Sequence, residues 1–177
     1  MSAVQHTPRL LLRPPVASDL ERLFAIYGDP ATNVYNPFGP FADREKARSV
    51  LTGWIEHWQQ HGFGQWAIEL REAPGRVIGF GGIGYRKYLE QEALNLGYRF
   101  ATEAWGHGYA TELARAALQH AFGSLKLPEV FAIVRPVNQP SIHVLEKAGL
   151  QRIGSLDDVP GQEPSHLYRA TALGLAA

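Results

Sequence analysis

The chain has 177 residues, of which 45% are hydrophobic and 19% are charged. This length and composition are typical of a globular protein with a hydrophobic core, so we expect a single domain over residues 1–177. Lys and Arg together number 17, Asp and Glu also number 17, and cysteine is absent. The balanced charge argues against a nucleic-acid-binding protein, and the lack of cysteine excludes disulfides and thiolate metal sites.

The sequence shows no targeting or membrane segment. Met1 to Thr7 lacks the basic and apolar parts of a signal peptide. No apolar run approaches the ~18 residues that a membrane helix needs. We therefore expect a cytoplasmic protein that binds neither a membrane nor nucleic acid, and a homodimer is compatible with such a chain.

The first half of the chain predicts three strands and two helices. In chain order, the elements are a strand at 9–13, a helix at 18–27, a loop at 29–41, a helix at 43–61, and strands at 66–70 and 77–85. Ser18 and Glu21 have the spacing of a capping box, and Asp43 is typical of a helix N-cap. A turn is expected at 73–75, where Ala, Pro and Gly follow one another.

The second half of the chain predicts four more strands and two more helices. In chain order, the elements are a strand at 94–100, a helix at 110–122, a strand at 130–134, a helix from Asn138 to Gly149, and short strands near 151–155 and 166–170. Gly97 interrupts an alternating apolar pattern, which indicates a bulge or a close backbone approach. The whole chain predicts an α/β (α+β) fold, with one mixed sheet of six or seven strands and about four helices packed on it.

The most informative segment is the loop that precedes the helix at 110–122. It reads Trp105-Gly106-His107-Gly108-Tyr109-Ala110, so two glycines stand directly before a helix start. The first backbone N–H groups of a helix have no acceptor within it, and the peptide dipoles place partial positive charge there. Because glycine has no Cβ, such a loop can hold a phosphate or diphosphate. The alternative is that the two glycines only turn the chain.

Common nucleotide-binding motifs do not fit this loop. The third glycine of the Rossmann fingerprint is replaced by Thr111, and the chain contains no GxxxxGK[ST] motif. A nucleotide-binding module of either class is therefore disfavoured. The glycines between 79 and 84 are not followed by a helix start, so they predict a strand that packs closely against a neighbour.

A second segment places polar residues at a helix start. Asn138 is in position to cap the helix, and Ser141 lies in its first turn. Ser141 and Leu145 are four residues apart and therefore share a helix face. An ordinary N-cap and a stop at Gly149 explain this segment except for Ser141.

Taken together, these segments resemble the GNAT superfamily of acyl-CoA-dependent N-acyltransferases. The closest resemblance is to its Rim-type branch, the ribosomal-protein N-terminal acetyltransferases and their small-molecule relatives. The family's CoA loop, Gln/Arg-x-x-Gly-x-Gly/Ala, is matched by Trp105-x-x-Gly108-x-Ala110, and a leading Trp is usual in that branch. Further matches in order are Arg9–Arg13, Trp66–Ile68, Leu94–Phe100, Ala110–Glu112 and Asn138–Leu150. The resemblance covers most of the chain and implies the splayed sheet of the GNAT fold.

The resemblance implies that acetyl-CoA is the co-substrate. Its diphosphate would lie on the backbone amides of Trp105, Gly106, His107, Gly108, Tyr109, Ala110 and Thr111. Its pantetheine arm would lie between the strands at 94–100 and 130–134. The amides near Tyr98 and Phe100 would polarise the thioester carbonyl, and Asn138 would be a further polar contact.

The resemblance also indicates which residues assist proton movement. Many relatives place a Tyr beside the departing thiolate, but the matching position is Leu145, so Ser141 is the candidate to assist it. Relatives often carry a Glu on the central strand where this chain has Asn95, which can hold a water but cannot itself remove a proton. Glu92, Glu103 and proton release through water stay open as alternatives for the base.

We therefore expect an N-acetyltransferase that moves the acetyl group of acetyl-CoA to a primary amine by direct attack in a ternary complex. The acceptor would be a protein N-terminus or a small-molecule amine, and the loop at 29–41 and the helix at 43–61 would shape its pocket. The alternative is a non-catalytic CoA-binding or sensor domain of the same fold. His57 and His61 have the spacing of two zinc ligands, but no third ligand is evident, so no metal is expected.

Overall fold

The computed structural model describes residues 3–176, which form one mixed sheet of eight strands with five α-helices. The strands are β1 (Gln5–His6), β2 (Leu10–Arg13), β3 (Gln65–Leu70), β4 (Ala73–Tyr88), β5 (Gln91–Phe100), β6 (Glu129–Val134), β7 (Gln151–Leu156) and β8 (Ser165–Thr171). The helices are α1 (Leu20–Tyr27), α2 (Arg44–His61), α3 (Tyr109–Gln119), α4 (Gln139–Lys147) and α5 (Ala172–Ala176). The predicted mixed architecture is confirmed, and the short elements β1 and α5 are additions to it.

The strands follow the order β1-β2-β3-β4-β5-β6-β8-β7 across the sheet. The pairing of β5 with β6 is parallel, whereas β1–β2, β2–β3, β3–β4, β6–β8 and β7–β8 are antiparallel. The chain packs as two compact units. The first unit comprises the chain up to Gly82 together with Tyr98–Tyr109, and the second unit comprises Ile83–Gly97 together with Ala110 onwards.

The core of the first unit lies where α1 and α2 pack against β3 and β4. Leu23 and Ile26 of α1 are three residues apart, and Ala47 and Leu51 of α2 are four apart, so each pair shares a helix face. Both pairs are buried in one cluster with Ala67 and Phe80 of the strands. Each helix therefore presents an apolar stripe to the sheet. Burying one such side chain stabilises the fold by about 1.5–3 kcal/mol relative to leaving it exposed.

The start of α1 differs from the predicted capping box of Ser18 and Glu21. A short 3-10 turn at Ala17–Asp19 leads into α1, and no side chain caps either element. The Asp19 carboxylate instead accepts the backbone N–H of Val16 at 2.8 Å and both terminal nitrogens of Arg13 at 2.8 and 2.9 Å. An ion-paired carboxylate in the preceding turn thus takes the place of the hydroxyl cap.

The turn between β3 and β4 also differs from the prediction at 73–75. Leu70 pairs with Ala73, so Arg71 and Glu72 form the turn, and the next three residues already belong to β4. The register shifts on both sides of Glu69, which marks a bulge in the ladder. Gly75 takes a φ of +96° there and donates its N–H to the Glu69 carboxylate at 2.5 Å. The glycine serves the bulge, not the turn.

The glycine-rich part of β4 packs closely against its neighbours, as predicted. A Cβ on Gly79 would lie 2.7 Å from Cδ1 of Phe100 and 2.9 Å from the carbonyl oxygen of Arg99. A Cβ on Gly82 would lie 2.7 Å from the carbonyl oxygen of Gly64. Side chains at either position would force the strands apart.

The second unit is built on β6, β8 and β7 with α3 and α4. Leu113, Leu118, Val130, Leu145 and Tyr168 are among its most buried side chains. The predicted helix at 110–122 ends earlier, at Gln119, and continues as a π-type turn over His120–Ser124. The N–H of Leu125 reaches the carbonyl oxygen of His120 five residues back, so Gly123 lies within this wider turn and does not cap α3.

Within the described residues, the parallel ladder between β5 and β6 is one pair long, Asn95 with Phe131. Such a short ladder agrees with the splayed sheet that the sequence predicts. Across residues 3–176, none of the helices has the length and apolar character needed to cross a bilayer.

Candidate active site

The glycine loop of the first unit, residues 105–109, has a left-handed backbone at both of its glycines. Gly106 and Gly108 both have a φ of +80°, a left-handed conformation that other residues seldom adopt. A Cβ on Gly106 would meet no atom within 4 Å, and one on Gly108 would meet only Nη2 of Arg9 at 3.5 Å. The loop therefore turns sharply and leaves space beside its backbone.

The start of α3 leaves backbone donors open directly after this loop. Among the described residues, no protein group accepts the N–H of Gly108, Tyr109, Ala110 or Thr111. The first N–H groups of an α-helix have no acceptor within the helix, and the helix dipole adds partial positive charge at this end. This helix start can hold an anion.

Arg9 holds the glycine loop from the beginning of the chain. Its Nη1 donates to the carbonyl oxygen of His107 at 2.7 Å, and its guanidinium carbon lies 4.6 Å from the centre of the Tyr109 ring. The rings of His107 and Tyr109 stack at 5.3 Å with an interplanar angle of 22°. Sequence reasoning missed the role of Arg9, because Arg9 and His107 are 98 residues apart and no local pattern indicates their contact.

Trp105 differs from its predicted place among the phosphate-binding amides. Its backbone N–H donates to the carbonyl oxygen of Thr102 at 3.1 Å. Its indole Nε1 donates to the carbonyl oxygen of Phe100 at 3.0 Å, while half of the residue is exposed. The backbone N–H of Trp105 is thus already hydrogen-bonded within the protein. The N–H groups that could bind a phosphate belong to residues further along the loop.

The end of β5 directs alternate backbone groups away from β4. Ala101 donates its N–H to the carbonyl oxygen of Ile78 in β4 at 2.8 Å. In an antiparallel ladder, successive residues turn their backbone groups alternately to one neighbour and to the opposite side. Counting back from Ala101, the N–H groups of Phe100 and Tyr98 therefore point to the side of β5 opposite β4.

The start of α4, in the second unit, is closed by its own residues. Oδ1 of Asn138 accepts the N–H of Ser141 at 3.2 Å, as the predicted N-cap requires. The N–H of Asn138 donates to Arg135 at 2.9 Å, that of Gln139 donates to Val137 at 3.0 Å, and Pro140 has none.

Ser141 and Leu145 lie on the same face of α4. Ser141 is half-buried, and Leu145 is buried in the core with 2% of its surface exposed. Of these two residues, Ser141 carries the polar side chain. Leu145, one turn after Ser141, is aliphatic and occupies the position where the family resemblance implies a Tyr.

Asn95 and Glu92 occupy different environments on β5. Asn95 is buried, and its Oδ1 accepts the hydroxyl of Tyr88 at 2.5 Å. Burial raises the pKa of the Tyr88 phenol well above its usual range, so the phenol stays protonated and donates. Glu92 is exposed and, because side chains alternate along a strand, lies on the opposite face from Asn95.

Glu103 is a poor base in this structure. Its carboxylate is bonded by Nη2 of Arg76 at 3.0 Å and by Arg22. The hydrogen bond from Arg76 is the main reason that the pKa of Glu103 falls to about 2. A carboxylate that holds its charge so firmly does not accept a proton near neutral pH.

The His57–His61 pair belongs to a local packing arrangement. The two rings lie 4.5 Å apart, and Nδ1 of His57 is 2.9 Å from the carbonyl oxygen of Phe63. In the part of the chain that the structure describes, no three His, Asp or Glu side chains are grouped so as to hold a metal ion.

Comparison with known families identifies the class of protein. The sequence profile of the family described as "Acetyltransferase (GNAT) domain" matches residues 9–151. That range contains β2 through the start of β7 and includes the glycine loop and the start of α4. The chain belongs to the acetyltransferase (GNAT) family.

Individual relatives agree with this assignment. The uncharacterized protein YkkB of Bacillus subtilis (strain 168) is 31% identical over 150 residues, which cover 81% of this chain and 83% of YkkB. The crystal structure of an acetyltransferase from Agrobacterium tumefaciens str. C58 is similar with a TM-score of 0.80 at 27% identity, covering 96% of this chain and 95% of that one. The structure of Mycobacterium smegmatis RimJ in complex with CoA-disulfide is similar with a TM-score of 0.74 at 26% identity, covering 95% and 84%.

Proposed function

We propose that this protein is an N-acetyltransferase that moves the acetyl group of acetyl-CoA to a primary amine by direct attack in a ternary complex. One observation carries the proposal: two left-handed glycines lead directly into a helix start whose first N–H groups have no acceptor among the described residues. We take residues 1–177 as one functional domain, over most of which the family profile extends.

The residues of the glycine loop fit a diphosphate. The N–H groups of residues 108–111 supply donors, and the left-handed backbone at Gly106 and Gly108 leaves no side chain in the way. Arg9 adds a positive charge beside Gly108, so it both positions the loop and attracts an anion. Trp105 contributes through its indole, which fixes the carbonyl of Phe100, and His107 through its ring stacked on Tyr109.

The amides of Tyr98 and Phe100 fit the role of oxyanion donors. When bound, acetyl-CoA supplies an activated thioester whose carbonyl oxygen gains negative charge as the amine attacks. Both N–H groups lie on the side of β5 opposite β4, and the strand that carries them is fixed by the Ala101–Ile78 bond and by the packing of Phe100 on Gly79. Donors that are already oriented stabilise such a charge without reorganising.

Two side chains are proposed to assist the protons. The hydroxyl of Ser141 would hydrogen-bond the departing thiolate, while Asn138 keeps its Oδ1 for the cap and offers only its Nδ2 to the cofactor. The amide of Asn95, held by Tyr88, would position a water that carries the amine proton away. Glu92 would accept that proton through solvent, since it does not share a face with Asn95.

Within the family, we assign the protein to the Rim-type branch. The similarity to RimJ of M. smegmatis supports this assignment, as does the opening Arg9–Arg13 strand. The acceptor is then a protein N-terminus or a small amine. A CoA-binding sensor is the second candidate, and it is favoured by Leu145 and Asn95, which stand where catalytic side chains would be expected.

Thiol release separates the two candidates. The full-length protein is incubated with acetyl-CoA and a broad panel of amines, and free CoA is measured with a thiol reagent. An enzyme releases CoA in proportion to the acetylated amine, whereas a sensor shows only binding. At about 100 times the Kd, acetyl-CoA should stabilise either protein by about 2.7 kcal/mol, so the absence of a thermal shift would contradict both candidates.

A further inference from the structure

Arg99 stands apart from the other partly buried arginines. In the described chain four arginines are half-buried, namely Arg13, Arg22, Arg99 and Arg135. Three of them have a carboxylate partner: Arg13 pairs with Asp19 and Glu69, Arg22 with Glu103, and Arg135 with Asp158. Among the described residues, no carboxylate lies within ion-pair distance of Arg99.

The guanidinium of Arg99 is nevertheless held in place. Its Nη1 donates to Oδ1 of Asn33 at 2.7 Å, and its guanidinium carbon lies 4.5 Å from the centre of the Tyr27 ring. These two contacts fix one edge and one face of a planar group that has five N–H donors. Most of its donors are left for another acceptor.

Asn33 is itself anchored in the loop between α1 and α2. Its Nδ2 donates to the carbonyl oxygens of Tyr27 at 2.9 Å and Asp29 at 2.8 Å, so its Oδ1 must face Arg99. Oδ1 also accepts Nδ2 of Asn36 at 2.9 Å. The loop thus orients a neutral acceptor towards the cation and supplies no negative charge.

Tyr27 does not supply the missing charge either. Burial raises the pKa of its phenol to about 12, even though the nearby Arg99 acts in the opposite direction. The phenol is therefore neutral at pH 7. Its ring belongs to an aromatic group with Phe41, Trp54 and Phe80, whose centroids lie 5.3, 5.8 and 6.1 Å away.

A half-buried cation without a counterion is costly unless something pairs with it. The other three half-buried arginines each pair with a carboxylate, which offsets the cost of removing the charge from water. Arg99 lies on β5 between Tyr98 and Phe100, the residues whose amides we propose as oxyanion donors.

We infer that Arg99 is a specificity-determining residue that binds a carboxylate of the acceptor, so the acceptor is an amine that also carries a carboxylate, such as an amino acid. A guanidinium with an open edge pairs with a carboxylate through two parallel hydrogen bonds, which fixes the orientation of the acceptor as well as its position. This inference rests on the proposed transferase function.

The first experiment compares transfer to matched acceptors. Methionine, phenylalanine, threonine and glutamate are each compared with the corresponding α-carboxamide, and kcat/KM is measured for the wild type, Arg99→Gln, Arg99→Lys and Arg22→Gln. Loss of a charge-assisted hydrogen bond is expected to remove a carboxylate preference of about 10- to 100-fold in Arg99→Gln. Arg99→Lys should keep part of the preference, and Arg22→Gln, a half-buried arginine of the same unit, should keep all of it.

The carboxamides have less basic amines than the acids, so the acid-to-carboxamide ratio of kcat/KM is compared between variants, in which this difference cancels. This ratio also separates specificity from a loss of folding, because a merely structural role for Arg99 would lower both rates together. An acid-to-carboxamide ratio in Arg99→Gln that equals the wild-type ratio would overturn the inference.

The second experiment measures binding without chemistry. Calorimetric titration of the full-length protein with the same four amino acids and their carboxamides should show binding that prefers the carboxylate in the wild type and not in Arg99→Gln. If this preference is present but no amine is acetylated, the transferase proposal fails and the carboxylate site stands. If acetyl transfer proceeds but neither preference is seen, the carboxylate site is wrong and the transferase proposal stands.

Discussion

The starts of α3 and α4 are both N-terminal ends of helices that follow a strand, but they treat their backbone donors in opposite ways. At α3, two left-handed glycines precede N–H groups that no described protein group accepts. At α4, the Asn138 side chain, a proline and two tight turns account for every N–H of residues 138–141. Both ends carry the partial positive charge of a helix dipole, yet only α3 has donors to offer an anion.

This difference assigns separate tasks to the two segments that the sequence singled out. The α3 start is suited to bind a diphosphate through backbone groups. The α4 start is suited to present the side chains of Asn138 and Ser141 from a firmly closed helix end. Mutations at α3 should therefore change cofactor affinity, whereas mutations at α4 should change the rate or the stability.

The largest effect is expected for Gly108→Asp. A side chain at a φ of +80° is strained, and a carboxylate at this point repels the diphosphate. We expect acetyl-CoA affinity, measured by calorimetry, to fall by at least roughly 100-fold. Gly161→Asp is the matched control, because Gly161 has a φ of +78° with no atom near its Cβ position and lies outside the site. Equal losses in both variants would mean that strain alone is responsible.

Ser141→Ala tests the task assigned to α4. Removing a hydrogen bond to a developing thiolate should lower kcat about tenfold. Acetyl-CoA affinity should change less than twofold, because the Ser141 amide keeps its bond to Asn138. Steady-state kinetics and calorimetry on the same preparation distinguish the two, with Ser49→Ala in α2 as an exposed helix control. An unaltered kcat would remove Ser141 from the mechanism.

Arg9→Gln tests whether the open helix start needs support from outside the loop. The variant loses a charged donor to the carbonyl of His107 and a cation beside Gly108. Acetyl-CoA affinity should fall by about tenfold, and the loss should shrink as salt rises. Arg71→Gln is the control, since Arg71 is also exposed and donates to the carbonyl oxygen of Thr7 at 2.9 Å. Matching behaviour of the two variants would argue against a role for Arg9 in the loop.

Asn138→Ala should open the α4 start and cost stability more than binding. Loss of an N-cap lowers the free energy of unfolding by about 1 kcal/mol, measurable by urea denaturation. Asn138→Asp keeps an acceptor for the Ser141 amide and should retain that stability. If Asn138→Ala instead weakens acetyl-CoA binding more than tenfold at unchanged stability, its Nδ2 is a main cofactor contact and the separation of tasks between α3 and α4 is wrong.

The smallest effect concerns Glu103, in the turn that leads into the glycine loop. Its pKa in the folded protein is about 2, below the usual value, so its contribution to stability is present above pH 4.5 and is lost as the pH falls towards 2. The side chain is about half exposed, so solvent screens the effect. Glu103→Gln should reduce the loss of stability between pH 5 and pH 3 in urea denaturation. It should leave the pH profile of kcat unchanged above pH 5, and a shifted profile would restore Glu103 as a base.

The sequence predicted the parts of this molecule that local patterns determine. The Asn138 cap, the closely packed glycine strand and the helix start after Gly106 and Gly108 follow from residue type and spacing over a few positions. The helix at 43–61 and its cap were also predicted. In the structure, Asp43 accepts the N–H of Lys46, and the helix ends at Gly62, which has a φ of +75°. Such features need no knowledge of distant parts of the chain.

Contacts between distant residues could not be predicted. The Arg9–His107 bond and the Arg99–Asn33 bond depend on how elements assemble, which the pattern of one segment does not encode. The bulge at Glu69 could not be predicted either. The Ala-Pro-Gly sequence at 73–75 is compatible with a turn and also with the start of a strand that pairs through a bulge. Competition between tertiary packing and turn propensity decided the outcome there.

The open N–H groups at the start of α3 also allow ligand binding at this helix end to be followed by hydrogen exchange. Backbone protons without an acceptor exchange quickly with solvent deuterium, whereas those fixed by a cap are shielded. Hydrogen–deuterium exchange should therefore show fast labelling at residues 108–111 in the free protein and marked slowing once a diphosphate is seated there. The amide of Ser141, held by Asn138 in either case, would serve as the internal standard.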